Sequence, residues 1–336
     1  MNGLAPKAGR RTAVVALGGN ALAPAGESAT IYNQFRHTRE SLAPIVDLIH
    51  DGWNVCVVHG NGPQVGDEMV RNEAAREEAS PLPLGVLVAA TAGWIGYMIQ
   101  QSLENALMRE PGAPRIARSV ATVITQVQVD PNDPALRHPT KFIGHALSDD
   151  RVRELEHEGF VIRADGHGNH RRVVGSPVPL GIRELDVIRT LMDSGTPVIA
   201  CGGGGAPVYR HPSLGWEGID AVVDKDLVAA VLARDLGAGL LLILTDVEAV
   251  YADWGTPRQR PLSTLSADEA SAMDRQKAFG EGSMAPKIRA AIDFLRRTDA
   301  ARSGRAGGGE PPRAIITSLA RGREAVHGKA GTTITA

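Results

Sequence analysis

Four short apolar runs, each closing on glycine or a turn, limit what this chain can become. Val14-Val15-Ala16-Leu17 leads into Gly18-Gly19-Asn20, and Val55–His59 leads into Gly60-Asn61-Gly62-Pro63. Pro197–Cys201 leads into Gly202-Gly203-Gly204-Gly205, and Leu240–Thr245 leads into Asp246. Runs of β-branched and aliphatic residues without polar alternation are strands buried on both faces, which is how parallel sheets are built. Helical patterns separate them. Leu42, Ile45, Val46 and Ile49 share a face within Tyr32–His50, Gly66–Ala79 reads as a charged helix, and Leu84–Met108 as a helix buried on most sides. Ile182–Met192 and Asp226–Leu236 supply two more. The alternation predicts an α/β fold with a mostly parallel sheet and helices on both faces. Such sheets bind ligands outside the carboxyl ends of their strands, so the glycine turns should converge on one crevice. Glycine lets the backbone turn sharply there, and successive amides form a nest for anions.

The rest of the chain fits around this frame. Residues 1–12 read as a loose arm and Ser119–Gln128 as a strand. Residues 129–176 are richer in charge and carry Pro131, Pro134 and Pro139, with a short helix (Ser148–His157) and a hairpin of Phe160–Arg163 with Arg171–Val174 around Asp165-Gly166. This stretch is expected to be an insertion. Ser266–Arg275 is a short helix, Ser283 is placed to cap a helix running to Arg297, and Arg302–Pro312 reads as a loop. Ala314–Thr317 is a further strand, followed by a short helix and a last strand.

Composition narrows the function. A net charge of −2 gives no nucleic-acid or membrane footprint. The longest apolar stretch, Leu84–Ile99, is broken by Gly85, Gly93 and Gly96 and falls short of a membrane span. Ala13–Leu17 is too short for a signal peptide, and the two cysteines, Cys56 and Cys201, end separate apolar runs, which fits a reducing compartment. A cytoplasmic protein is expected. Five of the ten histidines (His138, His145, His157, His167 and His170) fall in the insertion, but without cysteine or carboxylate spacing that would point to a metal.

The chain carries no P-loop, no dinucleotide fingerprint at Gly18-Gly19, no protein-kinase set and no nucleophile elbow. It carries instead a few lysines in a chain whose cations are mostly arginine: Lys7, Lys141, Lys225, Lys277, Lys287 and Lys329. Lys225 and Lys287 both fall at helix starts, where a cation opposes the macrodipole unless an anion binds there. A solvated surface lysine is the alternative reading at either position. Asp226 is placed to hold such lysines. Thr245-Asp246 with Tyr251 either shapes a base pocket or is an ordinary strand end.

With these segments assembled, the chain resembles the carbamate kinase family, within the wider amino acid kinase fold. The resemblance rests on Ala16–Ala21, His59–Gly66, Ala200–Gly205, Val223-Asp224-Lys225-Asp226, Thr245-Asp246-Val247 with Val250-Tyr251, and Gly282–Lys287, with Pro139-Thr140-Lys141 in the insertion. It implies a three-layer sandwich with an open, mostly parallel central sheet. One domain would span 1–336, with 129–176 as a protruding subdomain, an acceptor-binding half over 1–200 and a nucleotide-binding half over 201–336. It also implies a reaction, ATP plus carbamate giving ADP and carbamoyl phosphate, often run toward ATP, in arginine metabolism. Lys141, Lys225, Asp226 and Lys287 would be catalytic. Gly18, Gly19, Asn20, Gly60, Asn61, Gly62, Gly203 and Gly204 would bind acceptor and phosphate. Asp246, Val247, Tyr251, Met284 and Ala285 would line the nucleotide site. Mg²⁺ would ride on the nucleotide phosphates, and the protein would be a homodimer acting on small molecules.

Carbamate is already an oxyanion, so the chemistry needs alignment and charge neutralisation and no general base. Two other readings stay open: a kinase of this fold for another small carboxylate or amino acid, and a nucleotide-sensing module without turnover. The chain departs from the family at Phe142 and His145, where prolines are usual, and at Ala249 and Ala285, where glycines are usual. Absence of the prolines would loosen the loop holding Lys141. Ala249 implies a position outside the left-handed region, or a shifted turn.

Overall fold

The computed structural model describes residues 11–24, 27–109, 119–166, 168–280, 284–302 and 310–336. The loose-arm residues before Arg11, His167, the capping residue Ser283 and most of the Arg302–Pro312 stretch lie outside them.

The central sheet has eight strands in the order Thr264–Ser266, Thr332–Thr335, Arg313–Ser318, Leu240–Thr245, Thr12–Leu17, Asn54–His59, Val198–Ile199 and Ala121–Thr122. Six of them run parallel; Arg313–Ser318 pairs antiparallel with Thr332–Thr335, which in turn runs parallel to Thr264–Ser266. The first strand sits at the centre, with Val14 opposite both Cys56 and Leu241.

Alternation along these strands divides the core. Val14, Ala16, Cys56, Val58, Leu241 and Ile243 face one layer, formed by Lys225–Leu236, Met284–Arg302 and Leu185–Asp193. Ala13, Val15, Leu17, Val55, Val57 and Leu242 face the other, formed by Ala43–His50, Leu84–Arg109 and Gly322–Val326. Every strand residue from Ala13 to Leu17 is fully buried, because each face of a parallel sheet carries helices. The fold is the expected three-layer α/β sandwich.

Several boundaries differ from the sequence expectation for local reasons. Tyr32–His50 is two helices, Ile31–Ser41 and Ala43–His50, because Pro44 cannot donate into a continuous ladder. The charged helix starts earlier, at Gly62, and ends at Ala74; Pro63 sits in its first turn, where no N–H is needed. Ser119–Gln128 splits into Ala121–Thr122 on the main sheet and Gln126–Gln128 in a second sheet with Gly181–Ile182, Ala206–His211 and Gly215–Gly218.

Residues 129–176 carry an antiparallel three-stranded sheet, with His170–Val174 between Lys141–Ile143 and Ile162–Ala164, and the helix Asp149–His157 capped by Ser148. Ile143 and Val174 from this sheet pack with Val65, Met69, Leu87 and Val88 in a third apolar cluster. That contact places the Lys141 strand against the helix Gly62–Ala74.

Candidate active site

The glycine turns after the first and second strands lie against each other. Gly60 N donates to Leu17 O at 2.9 Å and Gly18 N to Leu244 O at 3.2 Å, so three neighbouring strand ends are tied at one level. A side-chain carbon at position 60 would stand 2.8 Å from Gly19 N and 3.3 Å from the Lys225 side chain, so only glycine lets these backbones meet. Gly18 and Asn61 precede the helices Gly19–Leu22 and Gly62–Ala74 without side-chain caps, which leaves first-turn N–H groups for a ligand.

A cleft of about 510 Å³ opens above these turns. Gly19, Gly60, Asn61, Gly62 and Gly203 form its floor; Lys141, Phe142, His145 and Arg171 reach it from the subdomain, and Lys225 closes one side. A second hollow of about 160 Å³ is lined by Asp246, Val247, Tyr251, Trp254, Phe279 and Met284.

Asp226 joins the cations between them. Its Oδ1 accepts from Lys225 Nζ at 2.5 Å and its Oδ2 from Lys287 Nζ at 3.2 Å. Asp226 is only 3% exposed. Burial pushes its carboxyl up, and the two ammonium groups outweigh burial and hold it at about 2. Burial lowers the Lys225 ammonium, and Asp226 opposes that shift. Asp224 caps the helix Lys225–Leu236, its Oδ1 accepting from Asp226 N at 2.9 Å, while its Oδ2 accepts from Lys141 Nζ at 2.5 Å. Lys141, Lys225 and Lys287 thus all bond to carboxylates of one tetrapeptide, Val223–Asp226. Two long helices start beside these lysines, and their N-terminal partial charges add to the positive field.

The structure brings together Lys141, Lys225, Asp226, Gly19, Gly60, Asn61, Gly62 and Gly203 around the cleft, with Gly18 at the adjoining strand end. Lys287 joins them through Asp226. Asp246, Val247, Tyr251 and Met284 gather at the smaller hollow. Gly204 and Ala285 are set apart: Gly204 packs under the Val223 backbone, and Ala285 is 1% exposed in the core. Asn20 opens the same turn, but its side chain is outside the described residues. Ala249 lies outside the left-handed region. The Lys141 loop lacks its prolines but is held by pairing with Arg172–Val174, by Arg171 Nη2 donating to Gly144 O at 2.7 Å, and by His145 Nε2 at 2.6 Å from Asp67 Oδ1.

Sequence reasoning missed Asp224, although an Asp just before an apolar helical run is an N-cap signal. It also missed Arg171 and Thr91, whose placements depend on distant packing. Among the described residues no cluster of three or more His, Cys, Asp or Glu side chains is set to hold a metal ion. No helix among them is long and apolar enough to cross a membrane.

Residues 11–301 match the Amino acid kinase family. The chain belongs to the amino acid kinase family, among the carbamate kinases. The carbamate kinase of Halobacterium salinarum is 45% identical over 96% of this chain and 97% of its own length. A carbamate kinase-like protein of Escherichia coli is 40% identical over 96% and 98%. Among solved structures, the carbamate kinase of Giardia lamblia bound to AMP-PNP superposes with a TM-score of 0.84 at 36% identity, over 97% of this chain and 98% of that one.

Proposed function

We propose that this chain transfers a phosphoryl group reversibly between ATP and carbamate. In the ATP-forming direction a β-phosphate oxygen of ADP attacks the phosphorus of carbamoyl phosphate. The bond from phosphorus to the carbonyl-side oxygen breaks, and carbamate leaves with its electron pair as an oxyanion. No proton moves in that step, so the cleft is asked for charge neutralisation and alignment, which Lys141, Lys225 and the turn amides supply. The observation that carries the reading is the Lys225–Asp226–Lys287 bridge, which ties the Lys225 ammonium at the glycine-floored cleft to the Lys287 ammonium, on the helix whose first residue, Met284, lines the aromatic-edged hollow. In-line transfer gains most from fixed positive groups where charge is shared between attacking and leaving oxygens.

In this reading residues 1–200 hold mainly the acceptor, 201–336 mainly the nucleotide, and 129–176 form a subdomain that carries Lys141. Gly18, Gly19, Asn20, Gly60, Gly62 and Gly203 face acceptor and moving phosphoryl group; Asp246, Val247, Tyr251 and Met284 face the nucleotide. Gly204 and Ala285 act through packing. Mg²⁺ fits as an ion carried by the nucleotide phosphates, where it neutralises charge, since Asp226 is engaged by both lysines. A homodimer fits the exposed apolar residues Val86, Tyr97 and Met108 of the helix Leu84–Arg109, with Ile124 exposed next to its Gly93. Two buried thiols, with burial pushing Cys56 up to about 12, suit the reducing cytoplasm, and arginine metabolism is the setting that carbamoyl phosphate would connect it to.

Purified protein given MgADP and carbamoyl phosphate should form ATP. In the reverse direction, a panel of carbamate, acetate, aspartate and glutamate should show phosphorylation of carbamate above the rest. Activity on an amino acid with carbamate inert would favour the alternative kinase, and tight ATP binding without turnover the sensor.

A further inference from the structure

Thr91 lies in the middle of the helix Leu84–Arg109 and is fully buried. Its Oγ1 stands 2.8 Å from Leu87 O and 2.9 Å from Val88 O, so the hydroxyl hydrogen is used on the helix's own carbonyls. A hydroxyl has one hydrogen. What Thr91 offers outward is a lone pair, and Asn61 Nδ2 donates to it at 2.9 Å. The two ends of an amide look alike in shape, but a lone pair accepts only from the NH₂ end. Thr91 therefore fixes which way the Asn61 amide faces. Gly203 lies against the same amide with no room for a side chain.

The consequence is chemical. Asn61 lines the cleft floor, and its neighbours there are donors: the turn amides and the Lys225 ammonium. With one Nδ2 hydrogen on Thr91 and the amide's orientation thereby set, Oδ1 is an acceptor to which no described residue donates, and it stands open to a ligand beside the second Nδ2 hydrogen. An acceptor among donors suits one part of the proposed substrate. Carbamate and carbamoyl phosphate carry a planar NH₂ that can only donate; acetate and acetyl phosphate carry a methyl group there.

We infer that Asn61 Oδ1, aimed by Thr91, receives an N–H of the carbamoyl group and makes the site select carbamoyl over acetyl phosphate. The inference rests on the carbamate reading above. Asn61 would touch substrate; Thr91 is a positioning residue acting through it. Because the hydroxyl of bicarbonate also donates, the discrimination is against acyl groups lacking a donor. A site built to bond a substrate N–H rejects analogues without it by far more than a size filter does, because the analogue leaves a buried acceptor unpaired.

The test is the ratio of kcat/KM for carbamoyl phosphate to that for acetyl phosphate, each with MgADP. The wild type should show a large ratio. Thr91→Ser should keep it within about threefold, while Thr91→Val and Asn61→Ala should each lower it by about 100-fold or more, with folding checked by thermal melting. A merely structural role for either residue would depress both substrates in parallel and leave the ratio unmoved; that result in folded Asn61→Ala or Thr91→Val overturns the inference. If Thr91→Val fails to fold, Asn61→Ala decides. A wild type that makes ATP from both compounds at similar rates also overturns it while leaving the kinase reading intact. A wild type inert toward carbamoyl phosphate overturns both.

Discussion

Asp226 holds two lysine ammonium groups with one carboxylate, and that sharing sets what each substitution should do. Lys225→Ala or Lys287→Ala leaves Asp226 paired with the remaining lysine, so folding should survive with a small change in Tm. The kcat should fall by about 100- to 1,000-fold, the usual cost of removing one preorganised charge contact to a transition state. Asp226→Asn differs, because it leaves two cations facing each other in a nearly buried site, and it should lower stability as well as kcat. His59 supplies a pH prediction. Its Nδ1 donates to Gly60 O at 2.9 Å, and burial holds the imidazole down to about 4. An unfolded chain binds that proton near pH 6.5, so acidification favours unfolding through this residue. Between pH 7.5 and 5 the unfolding free energy should drop by about 2 kcal/mol on this account. Denaturant titrations of wild type and His59→Asn would show it as a slope that the variant lacks. Asp226 was legible in the sequence because it adjoins Lys225; the Asn61–Thr91 pair was not, because the two are brought together only by packing of the long helix against the second glycine turn.

The element that decides the geometry of the cleft is the strand Lys141–Ile143 on its small sheet. It is seated by apolar contact and by one backbone meeting. A side-chain carbon at Gly66 would lie 2.2 Å from Gly144 Cα, and Gly144 itself adopts φ +69°. Gly66→Ala should therefore displace the strand with little loss of Tm, raising KM for carbamoyl phosphate and lowering kcat/KM about 10-fold or more, since small misplacements of a positioned group are costly. Lys141→Ala should act on the same parameter. His145→Ala, which removes an exposed pair to Asp67, should matter less, in line with the small worth of such pairs. Strand and helix positions here were largely legible from periodicity. The boundaries were not where a proline acts in a first turn, as at Pro63, or breaks a helix, as at Pro44. The hairpin Ala206–His211 with Gly215–Gly218 also escaped the sequence reading, since its first strand starts directly after the glycine run, carries Pro207 at its second position and has no alternating pattern.

At the scale of the whole molecule, one sheet brings every glycine-bearing strand end to one side, and the helices that start there point their N-termini at the same space. That was legible in outline, because buried strands alternating with helices leave few topologies. On the opposite scale of assembly, the face bearing Val86, Tyr97 and Ile124 should join two copies. Light scattering on the purified protein should give a dimer, and Tyr97→Glu should shift it toward monomer. The Lys225–Asp226–Lys287 bridge should be the charged centre through which this chain moves a phosphoryl group from carbamoyl phosphate to ADP. Phosphorus NMR of carbamoyl phosphate mixed with MgADP, followed in parallel for wild type and folded Lys225→Ala, tests it directly. The carbamoyl phosphate signal should convert to the γ-phosphate of ATP with the wild type and at least about 100-fold more slowly with the variant. No ATP from the wild type, or equal rates from both proteins, would contradict it.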